Sequence, residues 1–267
     1  MPPSGALVTR FAPAPTGYLH LGHVRNAAHV WGLARAHGGR VRLRIEDHDT
    51  TRCRPEYERA IREDLAWLGF EPDDEVPRQS TRGAIYRELL EPFVERGLVY
   101  GCACTRQQIA AAPNPGSAEL WYPGTCRERH LGLDDGLGWR VRMDPGLERF
   151  EDGWLGPQVH DPSRQCGDVL VRDRVGQWTY QWAVVVDDFL QDITDVVRGR
   201  DLLESTGRQI RLGRLAGRAE PARFFHHALV MKSPTQKLSK ADRDRSVAEL
   251  RAAGWTPARV LAAARTA

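Results

Sequence analysis

The stretch from Ala6 to Ile45 constrains the fold more than any other part of the chain. Ala6 to Phe11 is a short apolar run that ends in a loop punctuated by Pro13, Pro15 and Gly17. From Val24 to Ala36 the apolar spacing is helical, and Val41 to Ile45 reads as a second strand. Strand, loop, helix and strand in that order open a parallel sheet of the doubly wound kind, whose ligands gather beyond the carboxyl ends of the strands. The predicted class is α/β with a Rossmann-like doubly wound parallel sheet. His20-Leu21-Gly22-His23 falls at the ligand end of that sheet, at the start of the first helix.

The rest of the chain extends the pattern and then interrupts it. Pro55 to Leu68 predicts a helix with Pro at its start, and Ile85 to Arg96 predicts another that stops at Gly97. From Leu98 to Trp182 come cysteines, the turn-rich Pro113-Asn114-Pro115-Gly116 and short strands at Trp139 to Met143 and Val169 to Arg172. The uninterrupted apolar run Ala183 to Val186 suits a buried strand. A helix over Asp201 to Leu215, a strand over His226 to Met231 and an alanine-rich helix over Ser246 to Ala264 complete the prediction. The expected organisation is a first half of the sheet domain at 1–97, a zinc-containing insertion at 98–182, a second half at 183–245 and a helical tail at 246–267. The sequence shows no internal repeat.

Composition narrows the class of molecule. With 267 residues and 41% hydrophobic content the chain can bury a sizeable core. A formal charge of +3 is too mild to prove nucleic-acid binding, but arginine dominates lysine. Arg198, Arg200, Arg208, Arg211, Arg214, Arg218 and Arg223 lie close enough in sequence to make a phosphate-facing surface or a solvated helix face. No signal peptide opens the chain and no run reaches the roughly 18 apolar residues of a membrane span, so a cytoplasmic protein is expected. Of five cysteines, Cys102, Cys104 and Cys126 cluster, which in a reducing compartment reads as metal before disulfide.

The chemistry rests on two motifs far apart in sequence, His20-Leu21-Gly22-His23 and Lys237-Leu238-Ser239-Lys240. When a carboxylate attacks the α-phosphorus of ATP, negative charge builds on phosphate oxygens, and donors already in place lower the barrier. Imidazoles of His20 and His23 at a helix start supply such donors, Gly22 lets a nucleotide approach the backbone, and Lys237 and Lys240 add positive charge. H-x-G-H alone is weakly specific; with Pro13-Ala14-Pro15-Thr16-Gly17 before it and K-L-S-K after it, coincidence becomes a poor explanation. Neither a Walker phosphate loop nor a G-x-G-x-x-G fingerprint is present.

At Arg10-Phe11-Ala12-Pro13 and Arg44-Ile45-Glu46-Asp47 the sequence resembles the glutamyl and glutaminyl branch of class I aminoacyl-tRNA synthetases, and most of all the glutamyl-queuosine tRNA(Asp) synthetase family. The likeness runs from Arg10 to the lysine motif. It implies activation of glutamate by ATP, with Mg2+, in the absence of tRNA, and transfer of glutamate to the queuosine base of tRNA(Asp); a monomer is expected, though the sequence leaves the oligomeric state open. It also implies that Arg10, Phe11, Ala12, Pro13, Ala14, Glu46, Tyr180 and Arg198 bind glutamate, with Tyr180 in a hairpin before Val184-Val185-Val186-Asp187-Asp188. His20, Gly22, His23 and Lys240 would bind ATP. A carboxylate at Glu46 suits the substrate ammonium, and Arg10 and Arg198 suit its two carboxylates. An arginine pocket could equally accept aspartate or, by hydrogen bonding, glutamine.

Cys102, Cys104 and Cys126 suit tetrahedral zinc, one ion per chain in a structural role, and need a fourth ligand. The residues alone suggest His130, four positions after Cys126, whereas the resemblance selects Tyr122. Cys53 and Cys166 receive no role. Two other functions stand beside the leading one: a truncated glutamyl-tRNA synthetase that charges the terminal adenosine, and an inactive tRNA-binding paralogue. The short stretch after Lys240 leaves no room for a separate anticodon-reading domain of about 50 residues and speaks against the first. The complete pair of ATP motifs speaks against the second.

Overall fold

A computed structural model describes residues 6–116, 119–233, 236–237 and 245–266. In chain order the elements are β1 (Val8–Phe11), α1 (Leu21–Ala36), β2 (Arg40–Leu43), α2 (Pro55–Leu68), β3 (Asp74–Glu75), α3 (Gly83–Glu95) and β4 (Val99–Cys102). There follow α4 (Arg106–Ala110), β5 (Gly138–Val141), β6 (Glu148–Asp152), β7 (Gly156–His160), α5 (Pro162–Gln165), β8 (Val169–Arg172) and α6 (Tyr180–Leu190). The chain closes with β9 (Asp195–Gly199), α7 (Thr206–Leu215), β10 (Arg223–His227), β11 (Met231–Ser233), β12 (Gln236–Lys237), α8 (Val247–Ala252) and α9 (Pro257–Thr266). Two compact units result, one of residues up to Thr81 with Asp192–Leu203 and Ala222 onward, the other of Arg82–Gln191 with Glu204–Pro221. The segment 98–182 lies within the second unit, together with α3, α6 and α7.

The first unit is the parallel sheet expected from its opening strands. β1 pairs with β2 from Val8↔Arg40 to Phe11↔Leu43, and β2 pairs with β3, all parallel. Backbone groups of successive strand residues point to opposite sides, so Val8 turns its own away from β2 and toward Thr194. Val8 N donates to Thr194 Oγ1 at 2.8 Å, and Thr194 N donates to Val8 O at 2.9 Å. β9, which starts at the next residue, pairs in parallel with β10. The winding thus reverses between β1 and β9. Val24, Ala27, Val30, Trp31 and Ala34 form the buried stripe of α1 and pack in one core with Phe11, Val41 and Leu43. Val247 and Leu250 of α8 and Val260 and Ala264 of α9 complete that core.

The second unit is antiparallel, with β5 between β4 and β8 and a β6–β7 hairpin. Its core joins Tyr86, Leu90 and Phe93 of α3 to Trp139, Val141 and the Trp182–Val186 stretch. This corrects the expected strand at Ala183 to Val186, which is the middle of α6. Every residue from Trp182 to Asp188 is buried, and a helix buried all round carries the same uninterrupted apolar run as an inner strand. The helix expected from Asp201 begins only at Thr206, after a 3₁₀ turn over Arg200–Ser205. The strand expected over His226 to Met231 is broken between β10 and β11. The expected C-terminal helix is two, because Gly254 takes a left-handed φ of 77° after α8 and Pro257 opens α9.

Candidate active site

The turn into α1 is built by the histidines themselves. His20 is the N-cap in extended conformation, with φ −126° and ψ 175°. Its Nδ1 accepts from Gly22 N at 3.1 Å, and His23 Nδ1 accepts from His20 N at 3.1 Å. Main-chain donors that a helix start leaves without partners are thereby satisfied by two imidazoles. An accepting ring nitrogen carries no hydrogen, so neutral His20 and His23 each hold their proton on Nε2. The ring centroids are 3.9 Å apart. A Cβ on Gly22 would stand 2.8 Å from His20 Cε1, so any larger residue there would force the capping ring to shift.

Beyond their ladder, β1 and β2 stay side by side. Arg44 N donates to Phe11 O at 3.0 Å and Glu46 N to Pro13 O at 3.1 Å, which sets Arg10–Ala14 against Arg44–Glu46. The Phe11 ring lies in the core, 5.5 Å from Trp31, and Pro13 is buried, so both offer a ligand their backbone; Ala12 and Ala14 are half-buried. Arg10 is buried. Glu46 is half of a buried ion pair, accepting from Arg44 Nη2 at 3.0 Å. Arg198, buried on β9, donates from Nε to His226 Nε2 at 3.0 Å on β10, with its guanidinium 5.3 Å from the Phe224 ring. Glu46 and Arg198 thus stand past or near the carboxyl ends of the strands on either side of β1, where a doubly wound sheet changes direction and holds ligands.

Tyr180 opens α6 rather than occupying a hairpin, and it packs half-buried on the core of the second unit. Lys237 belongs to β12, opposite Met231 of β11. Leu238, Ser239 and Lys240 lie outside the described residues. A cavity of about 230 Å³ opens nearby in the first unit, lined in part by Pro15, Asp47, Glu58, Arg78 and Ser80. Its charges are largely matched within the wall: Arg78 Nη2 reaches both Glu58 oxygens at 2.8 and 3.0 Å, and Asp47 accepts from Ser80 N at 2.8 Å.

The cysteine cluster is compact. The sulfurs of Cys102, Cys104 and Cys126 all lie within 4.8 Å of one another. Tyr122 Oη accepts from Cys126 N at 2.9 Å and lies 3.3 Å from Cys102 Sγ. His130 is exposed, in a left-handed turn with φ 51°, and is not among the clustered groups. Burial, reinforced by hydrogen bonding to Cys126, pushes the Cys104 thiol up to about 11, and burial raises the Tyr122 phenol as well. Burial also resists ionisation of Cys126, but hydrogen bonds from the Ala103 backbone, Cys104 and Tyr122 outweigh it and draw that thiol down. Three thiols and a phenol converging on one point, with no disulfide, fit a soft tetrahedral cation whose charge would favour the ionised ligands.

Several residues that organise the second unit carry little signal in the sequence. Asp168 receives Arg127 Nε at 2.8 Å and Met143 N at 2.8 Å and also holds the Tyr100 hydroxyl, and Cys166 O accepts from Tyr122 N at 3.0 Å. Asp187 binds Arg82 Nε at 2.6 Å and Tyr86 Oη at 2.9 Å; its place at the end of an apolar run, next to Asp188, was the one available hint. Cys166 is a structural thiol, donating to Pro162 O at 3.2 Å. Most of the arginine series is engaged within the fold. Arg208 pairs with Glu119, Arg211 and Arg214 with Glu148, Arg223 with Asp195, and Arg198 is buried against His226.

A doubly wound sheet with H-x-G-H at its first helix and Lys237 on a strand paired with β11, after the last parallel strand, defines a class I aminoacyl-tRNA synthetase catalytic domain. Residues 6–265 match the family model described as tRNA synthetases class I (E and Q), catalytic domain. A glutamyl-Q tRNA(Asp) synthetase of Bordetella bronchiseptica is 48% identical, over 87% of this chain and 74% of that one. One from Rhodobacter capsulatus is 39% identical, over 94% and 97%. The chain belongs to the glutamyl and glutaminyl class I synthetases and, within them, to the glutamyl-Q tRNA(Asp) synthetase family. The crystal structure of glutamate-tRNA synthetase from Elizabethkingia anophelis superposes with a TM-score of 0.76 at 29% identity, covering 90% of this chain and 54% of that one. This chain spans about half the length of that structure. Among the described residues, no helix is long and apolar enough to cross a membrane.

Proposed function

We propose that this chain activates glutamate with ATP, without tRNA, and transfers the glutamyl group to the queuosine base of tRNA(Asp). The observation that carries the reading is the identity of 48% to a glutamyl-Q tRNA(Asp) synthetase over 87% of this chain. In the first step a glutamate carboxylate oxygen bonds to the α-phosphorus and pyrophosphate leaves. The Nε2–H groups of His20 and His23 donate to the phosphate oxygens on which charge grows, Lys237 and Lys240 add positive charge, and Gly22 and Lys240 help to seat ATP. Mg2+ accompanies the nucleotide. Arg10 and Arg198 bind the substrate carboxylates, Glu46 its ammonium, Tyr180 and the backbone of Phe11–Ala14 its remaining surface. In the second step a queuosine hydroxyl attacks the mixed anhydride and AMP departs; the anhydride is reactive enough to need no nucleophilic triad.

In this reading Cys102, Cys104, Tyr122 and Cys126 hold one structural zinc that takes no part in the reaction. Position favours Tyr122 over His130, since its hydroxyl already touches the thiols. The enzyme acts as a cytoplasmic monomer, where thiols stay reduced. The test is glutamate-dependent ATP–pyrophosphate exchange without tRNA, followed by transfer of labelled glutamate to tRNA(Asp) with and without queuosine. Exchange and queuosine-dependent, alkali-labile transfer are expected. Equal transfer to unmodified tRNA(Asp), or charging of tRNA(Glu), would overturn the acceptor.

A further inference from the structure

Arg25 lies on α1, two residues after His23, and spends its guanidinium on main-chain oxygens from two separate segments. Nε donates to Ala264 O at 2.7 Å and Nη2 to Arg265 O at 2.9 Å, at the end of α9. Nη1 donates to Leu229 O at 3.1 Å and, at 3.4 Å, to Ala228 O. The α9 half is ordinary, because the last carbonyls of a helix lack partners and a cation suits them. The other half has a different consequence. Ala228 and Leu229 connect β10 to β11, and β11 is the strand paired with β12, which carries Lys237.

The neighbouring contacts repeat the same connection. His227 Nε2 stands 3.1 Å from Asn26 Oδ1, and the His227 ring stacks on His29 with centroids 4.8 Å apart at 17°. Burial, followed by the charges of His227 and Arg25, holds His29 down to about 4, and burial lowers His227 too, so neutral rings stack beside a charged guanidinium. Past the hairpin, Ser246 forms a bridge with His20, and Val247 N donates to Leu19 O at 2.8 Å. The chain on both sides of β11 and β12 is therefore fastened to the segment that bears His20 and His23.

We infer that Arg25 is a positioning residue for adenylate formation, fixing the β11–β12 pair, and with it Lys237, relative to the histidines of its own helix. The inference rests on the adenylation reading above. Its physical basis is that a charge aimed at a transition state loses much of its effect when displaced by about 1 Å. A planar fork can hold two carbonyl pairs at once, whereas an ammonium is a single point donor group.

The experiment compares wild type, R25K and V260A in glutamate-dependent ATP–pyrophosphate exchange and in amide hydrogen exchange. Lysine keeps the charge and most of the stem, and V260A trims a fully buried α9 side chain without touching the acceptors of Arg25. R25K is expected to lose at least tenfold in kcat with KM for glutamate within twofold, and to exchange the amides of 229–231 faster. V260A is expected to melt at a lower temperature and keep the wild-type kcat. Wild-type kcat in R25K, or an equal loss of kcat in V260A, would overturn the inference and leave Arg25 a helix cap. The hydrogen-exchange arm decides independently of activity: unchanged protection at 229–231 in R25K overturns the positioning role even if wild type shows no pyrophosphate exchange, a result that would by itself break the functional reading.

Discussion

The start of α1 and the cysteine cluster both bring polar side chains onto the main chain, but they differ in what makes them whole. At α1 the two imidazoles answer two backbone donors at 3.1 Å each, so the site is set by the fold before any ligand arrives. Around Cys102, Cys104 and Cys126 the donors converge on each other, with burial opposing ionisation. One arrangement is closed by hydrogen bonds; the other could be closed by a metal ion. Groups proposed to act on a transition state gain from being held in advance, whereas a cluster proposed to hold a structural metal is completed by the ion.

Breaking the first arrangement has the largest expected effect. His20→Ala removes the proposed phosphate donor together with the N-cap, and we expect exchange activity to fall by about 10²–10³, with roughly 1 kcal/mol lost in urea unfolding. Gly22→Ala leaves both imidazoles but pushes a Cβ to 2.8 Å from His20 Cε1, so a loss of about tenfold is expected from misplacement alone. Wild-type activity in Gly22→Ala would show that the ring can move without cost.

Breaking the second should act locally. In Cys104→Ser the zinc content, measured by atomic absorption, is expected to fall from one per chain to near zero. Protease cleavage should then appear between residues 102 and 131, while the amides of α1 stay protected. Undiminished zinc would remove the metal from the comparison.

The smallest effect sharpens it from within the first unit. Asp64 of α2 is fully buried with Arg251 Nη2 at 3.8 Å, and burial raises its carboxyl to about 6, against the pull of Arg251. Since the folded group binds its proton more tightly than the unfolded one, ionisation costs stability, and stability should rise as the pH falls from about 7 toward 4. Asp64→Asn is expected to flatten that rise and to gain roughly 1–2 kcal/mol at pH 8 by urea unfolding. An unchanged pH profile would show that Arg251 balances the charge.

Legibility in the sequence followed the range of the interactions. α2 is legible to the residue from the helical spacing of Pro55 to Leu68 and the proline at its first turn, and the structure adds a left-handed Gly69 that ends it. β1, α1 and β2 were legible because their periodicity reports one buried face. α6 was misread because burial on every side erases periodicity, and only its packing among Tyr86, Trp139 and Leu212 separates it from a strand. The arginines between 198 and 223 read as an anion surface or a solvated helix face, and the fold pairs Arg208, Arg211 and Arg223 with Glu119, Glu148 and Asp195. Tyr122 came from family likeness, whereas spacing alone suggested His130.

The sequence by itself determined the β1–α1–β2 opening of the parallel sheet, the end of that sheet where ligands gather, and the residue types proposed to meet ATP and a dicarboxylate. Those follow from local periodicity and from motifs whose members are neighbours in the chain. Only the tertiary structure decided which charges remain for a ligand, which proton each imidazole keeps, and how Arg25 ties α9 and the approach to Lys237 to the helix of His23. Those depend on partners up to 240 residues apart, and a contact of that kind exists only once the chain has packed.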